Sequence, residues 1–242
     1  MSRQELIGPQ GLRQDGRRAS ELRKIKCTPS VLSQSDGSSY IEQGNTKCLA
    51  AVYGPREARQ KAQILHNKAL ITVEISLAPF SMSERKKRKK FDKRLLEIAS
   101  AVKQTFEPII MTNLFPRSQI DIFLQILQYD GGMIQICINA ATLALIDAGI
   151  PMLEYVCACS AGIVEDTTIL ELLGTPELTV ALLPQSQKVT LLQLETRLHV
   201  DKLEPVMKMA IEGAKDIYKH LDKISRNYIE DLLQKSNPHP PI

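Results

Sequence analysis

The sequence comprises 242 residues, of which 43% are hydrophobic and 24% are charged, and this composition excludes a disordered or fibrous protein while supplying enough apolar side chains for a globular core. The 31 basic and 27 acidic residues leave a net charge of +4, which is too small an excess to identify a partner. Because no stretch approaches the roughly 20 consecutive apolar residues of a membrane helix and the N-terminus lacks a signal-peptide core, we expect an intracellular protein without a membrane segment.

The first half of the chain is predicted to begin with an extended polar leader over about residues 1–18. Residues 39–53 and 70–80 are rich in β-branched and apolar side chains and lie among turn signals such as Gly44-Asn45. We interpret both stretches as strands of an antiparallel meander. Apolar residues then recur every three to four positions, which predicts an amphipathic helix over residues 93–111.

A run of basic residues precedes and enters this helix. Residues 85–94 are mostly Lys and Arg and contain too few apolar side chains to pack as a core element. Such a loop is expected to be mobile. It would be attracted to a nucleic-acid backbone by Coulomb forces and counterion release, but a solvated surface loop or a localisation tract has the same composition.

The second half of the chain continues with alternating strands and helices. The alternation of residues 120–126 predicts a half-buried strand that ends at a turn over residues 130–132, and the Ala-rich residues 133–148 predict a buried helix. The remaining predictions are strands over 156–164, 178–183 and 189–194, a long helix over 201–234, and a flexible tail over about 236–242. Because no Pro-, Gly- or Ser-rich linker divides them, we predict a single α+β domain over residues 1–242, in which a mixed sheet packs against helices.

Motifs of several other enzyme classes are absent from the sequence. It contains no Walker-type phosphate loop, no Gly-x-Ser-x-Gly elbow and no His-Glu-x-x-His motif. The five cysteines are an odd number and form no pair of metal-ligand doublets. We therefore expect buried, reduced thiols, with neither a disulfide framework nor a metal site.

Four blocks of the sequence occur in an order that resembles the ribonuclease PH family and, more closely, the RNA exosome ring subunits derived from it. They are residues 15–18 (DGRR), 36–46 (DGSSYIEQGNT), 115–121 (FPRSQID) and 139–151 (NAATLALIDAGIP). Each block alone also fits a simple turn or a packed helix, so the resemblance depends on their joint order. It implies a two-layer βαβα-type fold in a six-membered ring of paired subunits around an RNA channel.

The resemblance also implies a reaction in which inorganic phosphate attacks the terminal phosphodiester of RNA. Active family members hold that phosphate with a Gly-Thr-Arg sequence at a helix N-terminus, whereas this chain has Gly132, Met133 and Ile134 in the same place. Loss of the arginine removes a charge-assisted contact of roughly 1.5–3 kcal/mol. The sequence therefore predicts a degenerate phosphate site.

A carboxylate that binds a divalent metal or transfers a proton is the second requirement of this chemistry. The acidic stretch of active members is shortened here, and Glu177 stands where the resemblance places a catalytic Asp. Its extra methylene would displace the carboxylate by about 1 Å, which can lower the rate about a hundredfold. We interpret Glu177 as vestigial, and a solvated loop carboxylate beside Pro176 is the simpler interpretation.

RNA contacts are the third requirement, and here the resemblance places a basic pair at the channel. The predicted RNA-binding residues are Lys93, Arg94, Arg117, Arg88, Lys89 and Lys90. The last three lie in the loop and would guide RNA to the channel mouth. Arg117 either binds phosphate or anchors a neighbouring subunit.

These observations predict a non-catalytic exosome ring subunit that binds and threads RNA 3′ ends during rRNA processing and mRNA decay. The alternative is an active phosphate-dependent 3′-to-5′ exoribonuclease that releases nucleoside diphosphates, and only this alternative requires Mg²⁺ and inorganic phosphate. A nucleotide-binding metabolic enzyme on the same fold is a third possibility. By resemblance, the partners are other ribonuclease PH-like ring subunits, cap subunits, an associated nuclease and single-stranded RNA, in the nucleus, nucleolus and cytoplasm.

Overall fold

The structure is a computed structural model that describes residues 8, 12–13, 15–58, 65–85, 87, 92–164, 167–171, 178–194 and 197–236. Four of the predicted site residues, Arg88, Lys89, Lys90 and Glu177, lie outside the described residues, as do most of the predicted leader and all but the first residue of the predicted tail. No helix in the described part is long and apolar enough to cross a membrane.

The first sheet has five strands in the order β1-β2-β3-β5-β4. Its strands are β1 (Ile25–Pro29), β2 (Gly37–Gln43), β3 (Thr46–Glu57), β4 (Leu70–Leu77) and β5 (Ser118–Gln128). Neighbours are antiparallel except β4, which runs parallel to β5. The predicted meander is therefore correct for β2 and β3 but wrong for β4, because β4 returns to β5 through a helical crossover, as parallel strands require.

That crossover contains helix α1, Lys93–Phe106, whose buried residues Ile98, Val102 and Phe106 recur at helical spacing. The helix was predicted to extend to residue 111. It ends five residues earlier because Pro108 has no N–H group to donate to the preceding turn. Ile109 and Ile110 are buried nevertheless, and a 3-10 turn, Thr112–Leu114, leads into β5.

The second sheet has four antiparallel strands in the order β7-β6-β8-β9. They are β6 (Cys157–Val164), β7 (Thr167–Leu170), β8 (Leu178–Leu183) and β9 (Lys188–Leu194). Helix α3, Val200–Ser236, packs against β6, β7 and β8. Strands β1 and β7 were not predicted, since both are short edge strands without a continuous apolar run.

Helix α2, Met133–Asp147, lies between the two sheets and contacts strands of both. Its side chains are buried from Met133 through Leu145, and small residues allow a close approach, since a Cβ at Gly37 would overlap the backbone of Ala144 and Ala148. The Asn139 amide exchanges two hydrogen bonds of 2.9 and 3.0 Å with the backbone of Ala158. This side chain thereby satisfies backbone groups of β6 at a position that lies outside the β6–β7 pairing.

A single cluster of buried apolar side chains joins α1, α2, α3 and both sheets. The five cysteines carry free thiols, four of them buried and Cys27 half-buried. The α+β class and the packing of helices against sheets are confirmed, with the strands divided between two sheets. The assignment of residues 1–242 to a single domain stays a prediction.

Candidate nucleic-acid and phosphate site

The predicted phosphate turn, residues 130–132, connects the end of β5 to the start of α2. Gly131 and Gly132 have φ angles of 85° and 64°, a conformation that glycine adopts without the penalty a side chain imposes. Gly132 is the N-cap of α2 but contributes no side-chain cap, and the first intrahelical bond runs from Ile136 N to Gly132 O at 3.2 Å. The preceding N–H groups have no partner within the helix, which gives the turn the backbone geometry of an anion site.

The side chains at this turn do not complete such a site. Met133 and Ile134 are only 6% and 5% exposed and belong to the apolar core. The next polar side chain, Gln135, is also buried and accepts a hydrogen bond of 2.6 Å from Ser160 N. A bound anion would meet backbone N–H groups and the helix dipole, which contributes about 0.3–1 kcal/mol when exposed, but no charged donor from these three positions.

Two side chains, Thr46 and Arg23, hold the turn in place by hydrogen bonds to its backbone. The Thr46 hydroxyl donates to Gly131 O at 2.9 Å and accepts from Asp130 N at 3.1 Å. Arg23, itself 7% exposed, donates from its guanidinium to Asp130 O at 2.8 Å. The turn is therefore fixed by the β2–β3 hairpin and by the segment that precedes β1.

Glu171 connects this support to the second sheet. Its carboxylate accepts from Arg23 N at 2.5 Å and from the Gln43 amide, and Arg17 lies 3.6 Å away. The residue is 1% exposed, and burial raises the pKa of Glu171 above its ordinary value even though Arg23, Gln43 and Arg17 act in the opposite direction. No role for Glu171 was predicted from the sequence.

Basic residues of the leader surround this carboxylate. Arg17 pairs with Asp15 at 2.5 Å, and Arg13 donates to Ala19 O at 2.7 Å. Burial and the neighbouring charge of Arg17 lower the pKa of Arg13 to about 10. We name Arg23, Gln43, Thr46, Asp130 and Glu171 the turn-support network. Only Gln43 and Thr46 of this network lie within a family-like block, residues 36–46, whose Asp-Gly and Gly-Asn pairs were interpreted as turn formers.

The acidic loop begins immediately after Glu171. Glu177 lies outside the described residues, and β8 resumes at Leu178. Among the residues that the structure describes, no three His, Cys, Asp or Glu side chains are grouped to hold a metal ion. The vestigial role assigned to Glu177 therefore stays a prediction.

The predicted basic pair stands at the start of α1. Lys93 and Arg94 are both exposed, Asp92 caps the helix by accepting from Arg94 N at 3.1 Å, and the first turn contains no acidic residue. Cations at a helix N-terminus oppose the dipole, at a cost of about 0.3–1 kcal/mol each. Helix stability does not account for their placement.

Topology brings this basic pair to the end of the sheet where the phosphate turn lies. Strands β4 and β5 are parallel and α1 runs back between them, so the start of α1 and the end of β5 lie at the same end of the sheet. The other end is marked by the bond of 3.0 Å from Ala69 N, before β4, to Thr112 O, after α1.

Arg117 does not join this site. It precedes β5, whose 11 residues separate it from the Asp130 turn by roughly 36 Å at about 3.3 Å per residue. Its side chain is exposed, its φ is 61°, and its backbone N–H donates to Leu65 O at 3.2 Å. Whether Arg117 contacts RNA or a neighbouring subunit stays a prediction, but its place at the far end separates it from the other predicted contacts.

Comparison with known proteins agrees with this architecture. The chain is 50% identical over 234 residues to the human exosome complex component RRP41, covering 94% of this chain and 96% of the relative. It is 41% identical over 233 residues to exosome complex component Rrp41 of Pyrococcus abyssi, covering 93% of each chain.

Solved structures share the fold at lower sequence identity. Rice Rrp46 superposes with a TM-score of 0.79 at 23% identity over 88% of this chain and 100% of its own. An Archaeoglobus fulgidus exosome chain, from a structure described as having RNA bound to the active site, gives a TM-score of 0.76 at 18% identity over 87% of this chain and 93% of its own.

Two family models match consecutive parts of the sequence. Domain 1 of the 3′ exoribonuclease family matches residues 21–151, and domain 2 matches residues 154–213. The boundary falls between α2 and β6, where the chain passes from the first sheet to the second. The family resemblance predicted from the sequence is thereby confirmed, and the chain belongs to the RNase PH 3′ exoribonuclease family.

Proposed function

We propose that this chain is a non-catalytic ring subunit of the RNA exosome that holds single-stranded RNA and passes its 3′ end to a separate nuclease. One observation carries the proposal. The same end of the first sheet carries an exposed basic pair, Lys93 and Arg94, and a phosphate turn followed by apolar, buried Met133 and Ile134. This end therefore keeps cations that attract the RNA backbone, but it lacks the side chains that would bind the attacking inorganic phosphate.

The basic pair suits a phosphodiester backbone. Both cations are exposed on one helical turn, and neither forms an ion pair with a carboxylate among the described residues. Each phosphate that a cation neutralises releases condensed counterions, so binding should weaken with salt. The arrangement offers sequence-independent affinity, which is what a threading subunit needs.

Phosphorolysis would require a bound inorganic phosphate as nucleophile. Backbone N–H groups and a dipole remain at Gly132, but the Thr hydroxyl and Arg guanidinium of active family members have no counterpart at Met133 and Ile134. The missing arginine contact alone accounts for roughly 1.5–3 kcal/mol. Weak phosphate binding is therefore expected, and with it no phosphate-dependent cleavage.

The second candidate is an active phosphate-dependent 3′-to-5′ exoribonuclease that uses Mg²⁺ and inorganic phosphate. The match to both 3′ exoribonuclease domain models favours it, as does 41% identity to an archaeal exosome component. In this case Glu177 would act as the carboxylate, and the backbone turn at Gly132 would suffice for phosphate.

Ring and cap partners follow from the relatives, which are named as exosome complex components. The end of the molecule that carries Arg117 exposes Leu114 by 59% and Leu153 by 61%, and a protein contact at that end would remove both side chains from water. We place other RNase PH-like ring subunits and cap subunits among the partners, with an associated nuclease. Processing of rRNA and decay of mRNA place such an assembly in the nucleus, nucleolus and cytoplasm.

RNA binding tests the proposal directly. The double change Lys93→Glu/Arg94→Glu should weaken binding of a fluorescein-labelled 20-nucleotide RNA by about a hundredfold, if each contact supplies the 1.5 kcal/mol of a weak charged hydrogen bond. The slope of log affinity against log salt should become shallower by about 1.4, at roughly 0.7 for each lost phosphate contact.

A matched control reverses two exposed lysines elsewhere, Lys188→Glu/Lys223→Glu, on β9 and α3. Fluorescence anisotropy should give near-normal affinity for this control. If both double variants lose RNA affinity equally, binding depends on net charge alone, and the basic pair has no specific role.

A further inference from the structure

A cleft of about 720 Å³ opens beside the phosphate turn. Its walls include three aromatic rings, Tyr40, Phe80 and Tyr129, together with Lys47 and Asp130. Neither the degenerate phosphate site nor the basic pair includes any of these rings. The cleft is open to solvent, so a ligand would lie against its walls and would not be enclosed.

The fold fixes the cleft at the end of the first sheet where the phosphate turn and the start of α1 lie. The segment after β4 is pinned to the end of β5, because Ala78 N donates to Ile126 O at 2.9 Å and Tyr129 N donates to Ser81 O at 2.9 Å. Ser81 N also donates to Ala78 O at 3.0 Å, which turns the chain and places Phe80 at the rim. The opposite wall comes from β2 and β3 through Tyr40 and Lys47.

Aromatic surface is available in this cleft. Phe80 is 71% exposed although it has no polar atom, whereas Tyr40 and Tyr129 are half-buried. Burial and a hydrogen bond of 2.7 Å to Glu42 raise the pKa of Tyr40 to about 12, so its ring remains a neutral phenol. Flat aromatic faces that are partly in water suit another flat ring.

The charged side chains around the cleft already have ion-pair or hydrogen-bond partners. Glu42 lies 3.6 Å from both Lys26 and Lys47, and the Asp130 carboxylate accepts from the Asn45 amide at 3.0 Å. Among the described residues that line it, the cleft has no cation without an ion-pair partner, and this lining is poorly suited to a phosphate. An uncharged ring fits its chemistry better than the backbone of a nucleic acid does.

We infer that the aromatic cleft binds a nucleobase of the single-stranded RNA that Lys93 and Arg94 hold by its backbone. This inference rests on the proposed function and deepens it, since it separates base contacts from phosphate contacts at one end of the sheet. Stacking on aromatic side chains tolerates any base, as a subunit that threads RNA of varied sequence requires. A free nucleotide offers the same ring, so the test compares both sources.

The chain contains no tryptophan, and Phe80→Trp therefore provides a single fluorescent reporter that keeps an aromatic ring in the cleft. RNA binding should quench the emission of this variant, because the base stacks on the indole. Leu153→Trp is the control, since Leu153 is similarly exposed at 61% but lies at the other end of the sheet, where its N–H donates to Ile109 O at 3.0 Å.

The experiment titrates full-length Phe80→Trp and Leu153→Trp with a 20-nucleotide poly(A) RNA and, separately, with AMP. We expect RNA to quench the reporter at position 80 and not the one at position 153. AMP should quench only at much higher concentration, because it lacks the backbone contacts. Quenching by AMP at the same concentration as RNA would instead identify a free-nucleotide site and overturn the assignment to the RNA strand.

A second variant, Phe80→Ala, keeps the test independent of the reporter. Its affinity for labelled RNA should fall about 5- to 100-fold, the range of losses when a stacking ring is removed. Its salt dependence should remain that of the unaltered chain, whereas Lys93→Glu/Arg94→Glu makes the slope shallower. Circular dichroism confirms folding of each variant.

The outcomes separate this inference from the proposed function. If RNA binds normally to Phe80→Ala and leaves the position-80 reporter unquenched, the cleft is not a base site, yet the basic pair can still hold RNA. If the reporter is quenched but the basic-pair reversal changes nothing, the backbone contacts were misplaced. Loss of ring assembly by Phe80→Ala with unchanged RNA affinity would make the cleft a protein contact and contradict the inference.

Discussion

Two helices begin at the same end of the first sheet, and their first turns differ in chemistry. α1 begins with exposed Lys93 and Arg94, whereas α2 begins with buried Met133 and Ile134 behind a glycine turn. Both starts carry the positive end of a helix dipole, but only α1 adds charged side chains. One helix start therefore provides a contact surface, and the other belongs to the packing between the two sheets.

The largest effect expected from this contrast is on stability near the start of α2. Glu171→Ala should lower the free energy of unfolding by about 2–6 kcal/mol, because it leaves two buried donors, the Arg23 backbone N–H and the Gln43 amide, without their carboxylate acceptor at about 1–3 kcal/mol each. Urea unfolding measures the loss. Glu204→Ala, at an exposed i,i+4 pair with Lys208 on α3, is the control and should leave stability almost unchanged, because solvent screens such a surface pair. Equal effects at both sites would show that Glu171 does not join the sheets.

A smaller loss is expected where the hairpin supports the turn. Thr46→Val keeps the shape of the side chain but removes the hydroxyl that bonds Gly131 O and Asp130 N. Two half-buried backbone groups then lack this partner, which costs about 1–3 kcal/mol. Thr28→Val, on the exposed side of β1, is the matched control in the same denaturation experiment. An unchanged midpoint for Thr46→Val would mean that the turn is held by other contacts.

The pH dependence of stability gives a finer test of the same contacts. Because burial raises the folded-state pKa of Glu171 above its ordinary value of 4.5, the folded chain binds more protons than the unfolded chain between those two pKa values. The contribution of Glu171 is therefore complete below the unfolded pKa and is lost as pH rises through the folded pKa, with a slope of at most about 1.4 kcal/mol per pH unit.

Glu171→Gln removes this titration while keeping the size of the side chain. Unfolding measured from pH 4 upward should show a shallower decline for Glu171→Gln than for the unaltered chain. A decline of the same steepness in both proteins would assign the pH dependence to other groups.

The smallest effect has the opposite sign and belongs to the start of α1. Lys93→Glu/Arg94→Glu should stabilise the fold slightly, by about 0.3–1 kcal/mol for each position, because carboxylates suit the helix dipole better than cations do. RNA binding should fall in the same variant. A double change that weakens both stability and RNA binding would indicate a structural role for the pair and erase the contrast between the two helix starts.

Much of this contrast could be predicted from the sequence, because it follows from local patterns. Helical spacing placed the start of α1 at Lys93, and the glycines at 131 and 132 marked the turn before α2. The turn-support network could not be predicted, because Glu171 lies 148 residues from Arg23 and 128 from Gln43 along the chain. Pairing across such separations is set by tertiary packing and leaves no periodic signal.

Strand direction and side-chain depth were the other limits of sequence reasoning. The apolar run over residues 70–77 has the same pattern in a parallel or an antiparallel strand, so the crossover through α1 was misinterpreted as a meander. Arg117, which lies in the family-like block 115–121, was predicted either to bind phosphate or to anchor a neighbouring subunit, and the length of β5 places it at the far end of the sheet. Phe80 was assigned to a strand, yet it lies beyond the end of β4 at the cleft.

Nucleoside diphosphate release tests the central claim most directly. The full-length chain, assembled with an RNase PH-like ring partner, is incubated with single-stranded RNA with and without inorganic phosphate and Mg²⁺, beside a Glu177→Ala variant. We predict that RNA binds and that no phosphate-dependent nucleoside diphosphate can be attributed to this chain. Phosphate-dependent release that Glu177→Ala abolishes would contradict the account and establish an active phosphorolytic exoribonuclease.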